Sequence, residues 1–230
     1  NGAGSACGKN MSAETSDKLG NQKKTNYALA PSLSKKDFIK ELTTGIEPPP
    51  AYFPKNVWMN KGVNSSIDEV ISRGITPLKL AAFKALAEDP EYLVLDVRSP
   101  QEYTAGSIPG SWFIGLDGQF APWVGSLIEN IDQKIILITP EGREKETVTR
   151  LARVGYDNAQ GYLIGGFSAW KTSGFEISSI ENVTAQGFID GLEDGSIKNP
   201  IDTRRPGEYE SGHICSVPLH TLSLVLEEVK

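Results

Sequence analysis

Leu95-Asp96-Val97-Arg98-Ser99-Pro100-Gln101-Glu102-Tyr103-Thr104-Ala105-Gly106-Ser107-Ile108 recurs downstream as Ile201-Asp202-Thr203-Arg204-Arg205-Pro206-Gly207-Glu208-Tyr209-Glu210-Ser211-Gly212-His213-Ile214. The offset is a constant 106 residues, and seven of the fourteen positions are identical, so the chain reads as a duplicated unit. A helical run precedes each copy, ending at Glu88 in the first and covering Phe188 to Asp194 in the second. The copies are unequal. Nearly seventy residues follow Ile108 to Phe175, whereas sixteen follow Ile214, so residues 181–230 read as the opening half of a second unit.

Around the first copy the pattern is that of an α/β sheet. Tyr92-Leu93-Val94-Leu95 and Ile135-Ile136-Leu137-Ile138 are apolar runs of strand length, suited to a parallel sheet covered on both faces. Tyr162-Leu163-Ile164 is a third strand, and Ser111 to Gly115 a short one. Arg143 to Val154 reads as a helix stopped by Gly155, and Ala121 to Ile128 as a weaker one. Thr76-Pro77 reads as an N-cap with proline at the first helical position, opening a helix over Leu78 to Glu88. Strands alternating with helices imply a parallel sheet flanked by helices.

Upstream, Ser34 reads as the cap of a short helix carrying Phe38, Ile39 and Leu42 on one face, with Gly45 as its stop. Glu47 to Pro54 holds four prolines and reads as an extended, stiff connector, with the compact domain beginning beyond it. The chain thus divides into 1–34, a connector region 35–75, a domain at 76–176 and a partial domain at 181–230.

Composition narrows the functions. A net charge of −6 argues against nucleic acid, whose phosphates need a dense Lys/Arg surface. No apolar run reaches the roughly 18 residues of a membrane span. Two distant cysteines, Cys7 and Cys215, make no disulfide framework and suggest a reducing, cytoplasmic setting. With only His213 and His220 beside them there is no soft-ligand metal cluster, and no cofactor is expected in this chain. The first residue is Asn1, and the chain reads as a piece of something longer.

The pattern strand–Asp96–x–Arg98–x–x–x–Glu102–Tyr103–x–x–Gly106–x–Ile108 resembles the first signature of rhodanese-like domains. Gly165-Gly166-Phe167-Ser168-Ala169-Trp170 resembles that family's closing motif. The resemblance covers residues 76–176 and implies a sulfurtransferase fold. Asp96, Arg98 and Glu102, with Asp202, Arg204 and Glu208 in the second copy, are read as structural signature residues in which an ion pair pins the following turn.

Active members carry a persulfide on a cysteine opening a loop Cys-x-x-Gly-x-Arg after the central strand, where backbone N–H groups surround the sulfur. Here the loop reads Thr139-Pro140-Glu141-Gly142-Arg143-Glu144. Gly142 is in place, Arg143 is one residue early, and Thr139 stands at the nucleophile position. A threonine hydroxyl is scarcely ionised at neutral pH and cannot hold transferable sulfur. Pro140 removes one N–H, and Glu141 and Glu144 bring negative charge to the anion's place. Gly142 and Arg143 remain as a remnant of the anion loop. Cys215 is the alternative nucleophile, although it follows the first signature of the second copy in a stretch that reads as shortened against the family.

Asn1-Gly2-Ala3-Gly4-Ser5-Ala6-Cys7-Gly8-Lys9, then Leu19-Gly20 and Thr25 to Leu29, resemble the end of a metallo-β-lactamase-fold domain. The likeness is to proteins that fuse that domain to tandem rhodanese domains, where His-Gly-Ala-Gly-Ser is usual and Asn1 here takes the histidine's place. The resemblance implies an upstream partner domain with non-haem iron or zinc, acting as a persulfide dioxygenase in sulfide metabolism. A binding role for loop 139–144 and a homo-oligomer are further readings.

Overall fold

The computed structural model describes residues 16–29, 31–44, 52–62 and 66–222. Asn1, Cys7, Gly45 and the prolines at 48–50 lie outside them. The chain forms two compact units, residues 1–49 and 50–230. In the first, α1 spans Leu19–Thr25 and α2 spans Lys35–Thr43, the latter capped by Ser34, whose hydroxyl accepts the Asp37 N–H at 3.1 Å.

The second unit is built on a five-stranded, wholly parallel sheet. Its strands are β1 (Pro77–Leu78), β2 (Tyr92–Asp96), β3 (Trp112–Phe113), β4 (Lys134–Ile138) and β5 (Ala159–Leu163), in the order β1-β5-β4-β2-β3. The two apolar runs are the neighbours β2 and β4, paired from Tyr92↔Lys134 to Asp96↔Ile138. Their side chains alternate between two cores. Leu95, Val97, Ile135 and Leu137 join Val70, Phe120, Val124, Val148 and Leu151 on one face. Val94, Ile136 and Ile138 join Phe83, Ile108, Leu163 and Trp170 on the other. Helices cover both faces: α4 (Ile67–Gly74), α7 (Phe120–Leu127) and α8 (Glu144–Ala152) on the first, α5 (Leu80–Ala87) and α9 (Gly166–Thr172) on the second.

Three local readings of the sequence are corrected. Thr76-Pro77 does not cap a helix. The carbonyls of Thr76 and Leu78 accept the N–H groups of Tyr162 and Ile164, each at 3.0 Å, which makes Pro77–Leu78 an edge strand beside β5. An edge strand tolerates proline, whose absent N–H would face outward; α5 starts only at Leu80. The third strand begins at Ala159 rather than Tyr162. Phe53 and Pro54 open a helix, α3 (Phe53–Met59), in whose first turn the proline's lost donor costs no internal hydrogen bond.

α3 and α4 fall in the region read as connector, and both pack on the sheet domain. Val70 is fully buried, and a Cβ on Gly125 would overlap the Tyr52 ring at 1.9 Å, so that glycine is needed for the ring's approach. The capping box of Ser66 and Glu69 starts α4.

Downstream, α6 (Pro100–Ala105) follows β2, and the chain beyond α9 returns along it. Ser107 and Ser178 exchange backbone hydrogen bonds at 2.8 and 2.9 Å, and the Ile180 N–H reaches the Thr104 carbonyl at 2.9 Å. Then come α10 (Ala185–Glu193) and α11 (Pro206–Glu210).

Candidate functional site

In an open parallel sheet, ligands bind beyond the carboxyl ends of the central strands, where the chain departs in opposite directions from neighbouring strands. That place lies between β2, whose chain leads on to β3, and β4, whose chain leads the other way to β5. Loop 139–143 leaves it and enters α8. Thr139 is 7% exposed, and the glycine pair Gly165-Gly166 closes over it, a Cβ on Gly166 falling 3.5 Å from the Thr139 carbonyl oxygen. Gly142 is exposed and adopts φ +79°, a conformation that favours glycine.

The Gly142 N–H has a partner. It donates to Glu144 Oε1 at 3.1 Å, and the Thr139 hydroxyl approaches the same oxygen at 3.5 Å. Glu144 is the first residue of α8, where a carboxylate also complements the helix dipole. The loop's own carboxylate therefore engages both the Gly142 N–H and the Thr139 hydroxyl. Glu141 is exposed.

Arg143 is directed elsewhere. Its guanidinium makes two bonds to Asp117, at 2.9 and 3.0 Å, and two to Glu146, at 2.8 and 3.1 Å. Arg150 joins the network, binding Glu146 at 2.6 Å and the Leu116 carbonyl at 2.8 Å. The Arg143 bonds hold the carboxyls of Asp117 and Glu146 below their ordinary range, and the two carboxylates in turn raise the arginine. Asp117, Glu146 and Arg150 carry no sequence motif; their proximity arises from the β3–α7 connection crossing the start of α8.

The signature residues lie at the end of β2. Asp96, fully buried, receives Arg98 through Nε at 3.0 Å and Nη2 at 2.6 Å, while Nη2 also donates to the Gly106 carbonyl at 2.8 Å. The Phe167 ring covers that guanidinium at 4.3 Å. Glu102 acts through Ser99, accepting its N–H at 3.0 Å in a capping box, and this bonding lowers the Glu102 carboxyl.

The same bonds recur 106 residues later. Arg204 meets Asp202 at 3.0 and 2.6 Å and the Gly212 carbonyl at 3.0 Å; Glu208 accepts the Arg205 N–H at 3.0 Å. Tyr103 donates to the Ser111 carbonyl at 2.7 Å, and Tyr209 to the Val217 carbonyl at 2.9 Å. The turn Ile108–Ser111 has its counterpart in Ile214–Val217, closed at 3.0 and 2.9 Å. Asp96 pairs with Phe113 and Asp202 with Leu219, the same register. Measured against the first copy, then, nothing has been shortened before Leu219. Cys215 is an exposed free thiol in the place of Pro109, in that turn and not after a central strand.

His213 stacks on Tyr209 at 3.7 Å, with Nδ1 3.0 Å from the Tyr209 carbonyl. His220 donates its backbone N–H to the Asp202 carbonyl at 2.8 Å. Among the described residues no group of three His, Cys, Asp or Glu side chains is placed to hold a metal ion. No helix among them is long and apolar enough to cross a membrane.

The five-stranded parallel sheet flanked by helices is the α/β fold of a rhodanese-like domain. Residues 79–173 match the model of the family described as Rhodanese-like domain. A crystal structure of a metallo-beta-lactamase from Staphylococcus aureus subsp. aureus COL is 30% identical, over 70% of this chain and 43% of its own, with a TM-score of 0.54. The chain thus spans less than half the length of that protein. The thiosulfate sulfurtransferase from Pseudomonas aeruginosa is 19% identical over 69% of this chain and 36% of its own, with a TM-score of 0.39. A rhodanese-like domain from Anabaena sp. is 21% identical over 47% of this chain and 91% of its own, with a TM-score of 0.39. No curated protein matches the chain.

Proposed function

We propose that this chain is a non-catalytic rhodanese-like segment of a sulfur-handling protein. The observation that carries the reading is the loop after β4: Thr139 replaces the nucleophile, and the Glu144 carboxylate occupies the Gly142 N–H. A thiosulfate or persulfide anion arriving there would meet a carboxylate in its place, and no thiol to attack. The same geometry weighs against anion binding through Gly142 and Arg143, since both donors are already engaged.

The chemistry then belongs to other parts of the protein. The likeness to a protein named as a metallo-beta-lactamase, covering less than half of it, supports a companion metallo-β-lactamase-fold domain upstream. Such a domain would hold the iron or zinc and oxidise a persulfide. A complete second rhodanese-like domain, of which residues 181–222 carry the opening, would exchange sulfane sulfur. The first domain serves as a rigid spacer or docking module between them, in a cytoplasmic setting.

The test is a sulfurtransferase assay with thiosulfate and with glutathione persulfide on this chain and on its Cys215→Ser variant. No turnover by either is expected. Turnover that vanishes in Cys215→Ser would transfer the activity to the second copy and overturn the reading.

A further inference from the structure

The first domain carries a pocket at the end of its sheet opposite to loop 139–143. Helix α8 leaves that loop and ends at Ala152, and the turn after it leads into β5 at Ala159. There α3, α4 and the turn 153–157 bound an open cavity of about 220 Å³. Four polar side chains line it: Asn56, Asn60, Arg153 and Asp157. None of the four makes a hydrogen bond or an ion pair through its side chain with any described residue. Met59, Ile67 and Val70 supply the apolar part of the wall. Gly155 stands at φ +88°, and a Cβ there would fall 2.5 Å from the Asn56 amide oxygen, so the glycine leaves that amide its place.

The charges of the pocket are of both signs and are held apart. Asp157 is half-buried, and the nearby Arg73 guanidinium donates to its backbone carbonyl, which leaves the carboxylate unbonded. Burial holds that carboxyl above its ordinary range, although Arg73 works against the shift. Arg153, on the same cavity, forms no pair with Asp157.

We propose that this pocket binds a small zwitterion, an aliphatic α-amino acid, with its ammonium at Asp157, its carboxylate at Arg153 and its side chain against Met59 and Ile67. A ligand of one sign would meet a like charge, whereas one carrying both signs answers both residues. The ammonium would bring a positive charge to a carboxyl whose burial now disfavours ionisation. Asn56 and Asn60 offer donors and acceptors to either end of such a ligand. Drug-sized molecules occupy about 300–1,000 Å³, so a cavity of about 220 Å³ suits something smaller, of the size of leucine. The inference rests on these side chains and is independent of the sulfur chemistry proposed above.

The experiment is a titration of the full chain with leucine, followed through the backbone amide NMR shifts of Asn56, Gly155 and Asp157. Saturable shifts are expected, with a Kd on the order of 1 mM. Leucinamide keeps only the ammonium and isocaproate only the carboxylate; each should bind about tenfold more weakly, the loss of one charge-assisted bond. Asp157→Asn should weaken leucine about tenfold and leave isocaproate unchanged, while Arg153→Ala should weaken leucine and leave leucinamide unchanged. Both variants should keep the amide spectrum of β2 and β4, so that lost binding reports the pocket and not the fold. Absence of saturable shifts at tens of millimolar leucine would overturn the proposal. Equal binding of leucine, leucinamide and isocaproate would also overturn it, reducing the pocket to an apolar patch.

Discussion

The Glu144 carboxylate lies 3.1 Å from the Gly142 nitrogen, so the loop that would hold a substrate anion is closed by a side chain two residues further on. This relationship couples residues 139 and 144. In a Thr139→Cys variant the new thiol would stand close to that carboxylate in a buried site. Both effects oppose ionisation, and its pKa should lie above the ordinary value of about 8.5. Adding Glu144→Gln should bring it down by about one unit, read from the thiolate's ultraviolet absorbance against pH. Equal pKa values in the two variants would show that Glu144 does not govern the loop.

The two Asp–Arg pairs have the same geometry but different surroundings. Removing Arg98 leaves Asp96 buried without its counter-charge, and Arg98→Ala should cost about 3–5 kcal/mol. Arg204→Ala, at an open surface, should leave the main urea transition in place. Denaturation midpoints of the two variants provide the comparison.

Val70, Tyr52 and Met59 precede residue 76 yet pack on the core. A chain beginning at residue 76 would lose all three; Val70 alone contributes about 1.5–3 kcal/mol by burial. Such a chain should unfold at markedly lower urea and be cleaved faster by protease than one beginning at residue 52. Identical stability would place α3 and α4 outside the cooperative unit.

Tyr156 is buried and donates its hydroxyl to the Ile128 carbonyl at 2.6 Å, and burial pushes its pKa up to about 12. The unfolded phenol ionises near 10, so its contribution is fully present below pH 10 and is lost as the pH rises towards 12. Urea midpoints measured between pH 9 and 12 should fall more steeply for the native chain than for Tyr156→Phe. Parallel curves would contradict the assignment.

The sequence made β2, β4 and the repeat legible because their information is local: continuous apolar runs and a fixed offset. The pair Thr76-Pro77 misled because its helix-start pattern is local too. What decides there is the demand of Tyr162 and Ile164 for carbonyl partners, more than eighty residues away. Thr139, where the resemblance implies cysteine, was visible in the sequence, and so was the negative charge of Glu144. That this carboxylate folds back onto Gly142, and that Asp117 captures Arg143, depends on φ at one glycine and on the crossing of the β3–α7 connection over α8.

A loop that supplies its own counter-ion has a thermodynamic consequence for the whole domain. Proteins whose anion cradles stand vacant gain stability with the logarithm of ligand supply, because occupancy is linked to folding. With Glu144 already seated, that linkage is cut. The domain's melting point should be indifferent to sulfite, thiosulfate or phosphate. Its folding would then be uncoupled from the supply of such anions.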